Sequence, residues 1–479
     1  MSARPRRFDR NLVVIGAGSA GLIAALTAAR LQASVTLIEA GAMGGDCLNT
    51  GCVPSKALLH AARLAAAGRA AADLGLAAPP GTVDSAAALR HVRAAIAAVA
   101  PHDSVERYRG LGVDVRQGAA RITSPWSVAV GGTTITTRAV VIATGAAPMV
   151  PEIEGLAQTG FLTSETIWTL AEAPRRLLIL GGGPVGCELA QAFGRLGSAV
   201  TVAQRAERLL PREDDAVGAL IRARLEREGG RVLLNHRPVA AAAGTMRFAH
   251  ASGEHTEAFD ALLIATGRRP RTEGFGLEAL GIPLTPAGTI ATNAWMQTLH
   301  KNIYACGDVA GPWQYTHAAG HQAWQAAVNA LFGGLPRLRP GRAPMPAVTY
   351  TEPEVARVGL NARQARAQGV AFAVTHYDLH ELDRAIVEDA REGFVEVLTA
   401  PHSDRILGAT IVAPRAGEML GEFTLAMSAG LGLKRLFGAI RPYPAWTDAN
   451  RAAAAAWREA RTSRRVLGAL ARFHAWRRD

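Results

Sequence analysis

Two thiols stand five residues apart in the segment Gly44-Gly45-Asp46-Cys47-Leu48-Asn49-Thr50-Gly51-Cys52-Val53-Pro54-Ser55-Lys56. Residues five apart on a regular α-helix have Cα atoms about 8–9 Å from each other, whereas a disulfide rarely tolerates more than about 7 Å. If these thiols bridge, the segment is distorted, with Gly51 and Pro54 helping to shape it, and such strain makes a bridge easier to reduce. So short a loop constrains the unfolded chain little, which argues against a structural staple. A helix starting near Cys52 and the ammonium of Lys56 favour the thiolate, the form that attacks sulfur or donates charge. The other cysteines, Cys187 and Cys306, are not partners by spacing, and each sits where a small buried residue suits a turn. No His, Cys and Asp grouping has metal-ligand spacing, so no metal is expected.

The elements around the thiols form a β-turn-α-β unit. Leu12 to Ile15 is a buried-strand run, Gly16-Ala17-Gly18-Ser19-Ala20-Gly21 follows, then an Ala- and Leu-rich helix, then a strand from Val35 ending at Glu39. Gly16, Gly18 and Gly21 permit a tight turn and close approach of a pyrophosphate to the helix N-terminus, while Glu39 can accept hydrogen bonds from a ribose diol. The pattern recurs in the same register: Leu177 to Leu180, then Gly181-Gly182-Gly183-Pro184-Val185-Gly186, a helix, and a strand ending at Gln204. Two such units imply two dinucleotides, and beside a reactive thiol pair they suggest a bound FAD on the first unit and an exchanging nicotinamide dinucleotide on Gly181, Gly183 and Gly186 of the second. Gln204 replaces the acid, and Arg205 and Arg208 follow, so a 2′-phosphate meets guanidinium rather than carboxylate. This leans toward NADPH within NAD(P)H; the same arginines also read as solvated groups in an arginine-rich chain.

The chain has 479 residues, 49% of them apolar, and a formal charge of +12. That length suits about three domains. Its basic residues are scattered and nearly all arginine, Lys56, Lys301 and Lys434 being the only lysines. Without an aromatic-interleaved basic stripe or a reading module, nucleic acid is not an expected partner. The basic N-terminal residues precede no apolar h-region, and no stretch of 18 apolar residues occurs, which favours a soluble, cytoplasmic protein. Four cysteines do not make a secreted, disulfide-stapled fold.

The Gly-Gly-x-Cys, four residues, Cys-x-Pro-Ser-Lys segment closely resembles that of the class I pyridine nucleotide-disulfide oxidoreductases, a family that includes dihydrolipoamide dehydrogenase, glutathione reductase and mercuric reductase. The resemblance implies that Cys47 and Cys52 form a redox-active disulfide, Cys52 beside the flavin and Cys47 as the interchange thiol. It implies that Gly45 and Lys56 lie near FAD, with Lys56 paired to Glu188. Ala143-Thr144-Gly145 and Ala265-Thr266-Gly267 resemble the family's paired strand ends, which places Thr144, Gly145 and Gly267 beside the cofactors. Tyr304 to Asp308 resembles the second FAD motif, Asp308 binding the ribityl chain. Thr316-His317-Ala318 then opens a helix whose positive end faces the flavin pyrimidine edge, with His317 at the flavin or simply capping the helix. The implied architecture is α/β: two Rossmann-like domains, for FAD (1–150 and 274–340) and NAD(P) (151–273), and a C-terminal α+β dimerisation domain (341–455). Pro346 to Gly359 resembles the first strand region of that last domain. A homodimer sharing its active site across subunits is implied.

Disulfide-reducing members carry a His-Pro pair followed by a Glu near the C-terminus. Here Tyr443 precedes Pro444 in place of the histidine, and Asp448 replaces the glutamate. A phenol titrates near 10 and is a poor acid-base at neutral pH. This resembles mercuric reductase more than a lipoamide or glutathione enzyme, although Phe161 stands where that enzyme has another tyrosine, and both an N-terminal metal-binding Cys-x-x-Cys domain and a C-terminal cysteine pair are missing. The expected acceptor is a small molecule or metal ion. Residues 456–479 read as a basic amphipathic helix, either packed on the protein or making weak membrane-surface contact. Two other classes remain: a membrane-docked electron donor to a quinone or partner protein, and a flavin-disulfide redox sensor.

Overall fold

A computed structural model describes residues 4–76, 83–333, 335, 338–339 and 344–478. The expected domain junction at 340–341, the N-terminal Met1 and the last residue, Asp479, lie outside the described residues. The chain divides into two compact units, Met1–Glu207 with Leu225–Arg342, and Arg208–Arg224 with Ala343–Asp479.

The first unit holds both nucleotide-binding folds. In the first, parallel strands run Asp114–Gln117, Val35–Glu39, Arg10–Ile15, Thr133–Ile142 and Ile303–Ala305 across the sheet. Leu12, Val13, Val14, Val140, Val141 and Ile142 are fully buried, because a parallel sheet covered on both faces has no polar side. Helices Ser19–Arg30 and Thr316–Phe332 share a core lined by Ala24, Ala25, Ala28, Ala323, Ala326 and Ala327; side chains this small bring helix backbones close together. The antiparallel strands Arg121–Ser124 and Ser127–Val130 extend the sheet from the start of Thr133–Ile142.

The second fold orders its parallel strands Arg231–Leu234, Ala199–Gln204, Arg176–Leu180, Ala261–Ile264 and Leu162–Thr163. A three-stranded antiparallel sheet over Arg237–Ala258 adds Met246 and Phe248 to its core. The chain crosses between the folds on two short antiparallel strands, Ala146–Pro148 and Arg268–Pro270.

The second unit is built on a five-stranded antiparallel sheet ordered Pro346–Thr349, Glu354–Gly359, Ile406–Ala413, Phe394–Thr399 and Ala373–Asp378. Helices Ala416–Ser428, Leu433–Gly438 and Asp448–Glu459 share its core, in which Phe423, Trp446 and Trp457 are buried. The tail is not one continuous helix from residue 456. Trp457, 4% exposed, belongs to Asp448–Glu459. A separate helix, Arg464–Trp476, starts where the Ser463 hydroxyl accepts the Arg465 N–H and caps a new N-terminus.

Candidate active site

The same steric logic builds both nucleotide turns. Gly16 (φ +98°) and Gly181 (φ +113°) lie so close to the neighbouring strand that a Cβ on either would stand 2.4 Å from the carbonyl oxygen of Ala143 or Ala265. A Cβ on Gly21 or Gly186 would stand 1.6 or 1.9 Å from the oxygen of Gly16 or Gly181. The middle glycines differ. A Cβ on Gly18 would meet nothing closer than 3.7 Å, and one on Gly183 nothing within 4 Å. The protein's own packing therefore does not demand glycine there, whereas a phosphate approaching the backbone would. Helices Ser19–Arg30 and Pro184–Arg195 begin at these glycines without a side-chain cap; Pro184 has no N–H, so the second helix offers an anion its N–H groups from Val185 onward, and the first from Ser19 onward. The residues fit two dinucleotides.

The strand-end residues distinguish the two sites. Glu39 accepts the Ala17 N–H at 2.5 Å and the Gly41 N–H at 2.7 Å, which fixes a carboxylate at the mouth of the first turn. At the corresponding place Gln204 accepts the Gly182 N–H through its carboxamide oxygen at 3.3 Å. Arg205 next to it is exposed, while Arg208 is paired with Asp215.

The thiols occupy two different helices, Gly45–Asn49 and Cys52–Ala70. Gly51 breaks the path between them; a Cβ there would lie 2.9 Å from the Asp46 carbonyl oxygen. The loop is braced by Asn49, which donates to the Met43 and Gly45 carbonyls, and by the Trp168 indole, which donates to the Thr50 carbonyl at 2.9 Å. Gly45 (φ +56°) packs against the first turn, its missing Cβ falling 2.6 Å from the Gly18 Cα. Gly45→Ala is therefore expected to push these two backbones apart and lower the flavin bound per chain, measured by the visible flavin absorbance; full occupancy would remove Gly45 from the cofactor cradle.

Both thiols are unbridged here and chemically unequal. Cys52 is the first residue of its helix, and its pKa is lowered to about 6. The chief cause is the hydrogen bond from the Cys47 thiol, aided by the Thr316 hydroxyl, 3.3 Å from the sulfur, and the Lys56 ammonium, with burial opposing. Cys47 is pushed well up, chiefly because its S–H is held by Cys52, then by burial. At neutral pH these opposite shifts favour the proton on Cys47 and the negative charge on Cys52. Lys56 Nζ donates to Glu188 Oε2 at 2.8 Å, an ion pair linking the thiol helix to the helix of the second nucleotide fold.

Thr144 donates its hydroxyl to the Arg271 carbonyl, and Thr266 donates to that of Met149, so both brace the chain crossings. Gly145 and Gly267 adopt positive φ beside them. His317 stacks on Tyr315, ring centroids 5.3 Å apart, and does not cap its helix, whose N-cap is Tyr315. Burial pushes the Asp308 carboxyl up in pKa, opposed by Arg268. Arg268 also binds Asp46, and its Nε is buried 3.6 Å from Asp308 without a hydrogen-bond partner among the described residues. No motif assigns a role to Thr316, Asp46 or Arg268. Arg268 has one available signal, its place directly after Ala265-Thr266-Gly267. Cys187 and Cys306 are fully buried, and burial raises Cys306 to about 12. Among the described residues no group of His, Cys, Asp and Glu is placed to hold a metal.

Within the second unit, Tyr443 is 75% exposed and donates to Asp383 at 2.9 Å, not to Asp448. The Asp448 carboxylate instead accepts the Ala445 N–H, because it starts a helix and turns back on the preceding loop. Arg441, whose Nε and Nη2 both donate to the Glu422 carboxylate, fixes the other end of this segment. Asp383 raises the Tyr443 pKa further.

Residues 10–330 match the family model for pyridine nucleotide-disulphide oxidoreductases, and residues 345–454 match that family's dimerisation domain. The chain belongs to the pyridine nucleotide-disulphide oxidoreductases. Within this family it is 33% identical over 443 residues to a mercuric reductase of Staphylococcus aureus, covering 91% of this chain and 80% of that protein. It is 35% identical over 451 residues to a dihydrolipoyl dehydrogenase of Thermus scotoductus, covering 91% and 95%. Among solved structures, the Cu(II) complex of the HOCl-induced flavoprotein disulfide reductase RclA from Escherichia coli superposes with a TM-score of 0.83 at 28% identity, covering 93% of this chain and 99% of that one. This oxidoreductase has, among its described residues, no helix long and apolar enough to cross a membrane.

Proposed function

We propose that the chain carries electrons from NAD(P)H, through FAD on the first nucleotide fold, to the Cys47–Cys52 pair and on to an external acceptor. The observation that supports this best is the placement of Cys52, the first residue of its helix, 3.3 Å from the Thr316 hydroxyl and on the same helix as the Lys56 that pairs with Glu188 at 2.8 Å. When bound, FAD would supply the two-electron relay between nicotinamide and sulfur. Glu39, Gly18, Gly45, Asp308 and the buried Arg268 Nε would hold it. Reduction of the Cys47–Cys52 bridge by two electrons and one proton breaks the S–S bond and would leave a Cys52 thiolate and a Cys47 thiol, the distribution that the lowered Cys52 and raised Cys47 pKa values favour. Lys56, anchored by Glu188, keeps a positive charge near that thiolate. In this reading residues 1–150 with 274–340 form the FAD domain, 151–273 the NAD(P) domain, and 341–455 the dimer domain, which presents Tyr443 to the partner subunit's thiols.

Cys47 becomes a nucleophile for a disulfide only after losing a proton, and a phenol held by Asp383 with a raised pKa is a poor base for that step. The arrangement favours a thiophilic metal ion, as in a mercuric reductase-like reaction, over lipoamide or glutathione disulfide. An acceptor screen with Hg(II), quinones, lipoamide and glutathione disulfide tests this reading; Cys52→Ser protein turning over the preferred acceptor at the normal rate would overturn it.

The neutral Gln204 and adjacent Arg205 favour a 2′-phosphate, whereas Arg208 already has Asp215 as an ion-pair partner. NADPH is expected to give the higher kcat/KM, and Arg205→Glu to shift preference toward NADH. Equal or better use of NADH by the unmodified protein would show that Arg205 does not read a phosphate.

A further inference from the structure

Helix Arg464–Trp476 lies beyond the match to the family's dimerisation domain, which ends at residue 454, and every residue of the helix is exposed. Val466, Leu467, Leu470, Phe473 and Trp476 recur at helical spacing along one side, and the Phe473 and Trp476 rings stand 6.1 Å apart. Arg464 and Arg472 fall on the opposite side, with Arg465 at the border and Arg477 and Arg478 at the end. From Arg461 to Arg478 the chain carries six arginines and no Asp or Glu.

We propose that this helix docks the enzyme on an anionic lipid surface, lying in the plane of the headgroups with Leu470, Phe473 and Trp476 at the acyl boundary. Charge complementarity decides for this occupant. A protein groove for the apolar stripe would need its own acidic residues at matched positions, whereas a continuous layer of acidic headgroups meets Arg465 at the border of the stripe and Arg477 and Arg478 at its end without any matched spacing. The attachment also suits the fold: Trp457 anchors the preceding helix in the core, and the short link before Ser463 lets the exposed helix meet a surface. The inference does not depend on the acceptor.

Flotation of the full-length, flavin-loaded protein with vesicles of phosphatidylglycerol and phosphatidylcholine, against phosphatidylcholine alone, tests it. Binding is expected to be at least about tenfold greater on the anionic vesicles and to weaken as salt rises. Leu470→Glu with Phe473→Glu should abolish flotation while leaving NAD(P)H oxidation in solution unchanged. Equal binding to both vesicle types, or flotation that survives the double substitution, would overturn the proposal. So would wild-type protein that stays in solution, most tellingly if the double substitution breaks its dimer, since protein would then cover the face.

Discussion

Cys52→Ser is expected to lower NAD(P)H-dependent acceptor reduction to background, because Cys47 alone cannot form the intrachain disulfide that receives the electrons. Cys47→Ser should also lose turnover but reveal more. With its partner removed, Cys52 stands as a free thiolate, so the oxidised protein should show a long-wavelength thiolate-to-flavin absorbance without added reductant. Cys52→Ser should never show it. The pH dependence follows from the lowered pKa of Cys52: the reduced wild-type enzyme should show the band above pH about 6 and lose it as pH falls through that value. Since the Cys47 hydrogen bond is the chief cause of that lowering, Cys47→Ala should move the midpoint upward. A Cys47→Ser protein with the spectrum of free oxidised flavin would reverse the roles of the two sulfurs.

Tyr443→His is expected to raise lipoamide or glutathione-disulfide reduction, with about 10²–10⁴-fold as the ceiling for a well-placed acid-base. Imidazole titrates near 6.5, so it can take the proton that Cys47 holds tightly. Asp383 already accepts a hydrogen bond from residue 443 and can orient the imidazole. The combined Tyr443→His, Asp383→Asn protein should therefore gain less than the single variant. Reduction of a metal ion or quinone should fall or stay unchanged. If the unmodified enzyme already reduces lipoamide at rates typical of a good enzyme, Tyr443 does not limit exchange.

The parts legible in the sequence are those whose physics is local. Gly16 and Gly21, or Gly181 and Gly186, must be glycine because of contacts within one turn or with a neighbouring strand end, and strands buried on both faces read as continuous apolar runs. Contacts made across the fold are not written in spacing. Thr316 meets Cys52 across 264 residues and Arg268 meets Asp46 across 222, with no local pattern marking either pair. Only the family resemblance connects Lys56 with Glu188 in advance of the structure. Asp448 follows Tyr443 at a distance that suits orienting it; nearby backbone N–H groups at a helix start compete for such a carboxylate and take it here. Similarly, the amphipathic period of the tail runs past Trp457, but burial of that ring and the cap at Ser463 divide it into two helices.

Thiol counting before and after anaerobic addition of one equivalent of NADPH tests the central claim most directly. Cys187 and Cys306 are buried and should stay silent to a thiol reagent used without denaturant. Oxidised enzyme is expected to expose no reactive thiol from the pair, and reduction to release two per chain, mapped by mass spectrometry to Cys47 and Cys52. Reduction of the flavin with neither cysteine becoming reactive would contradict it.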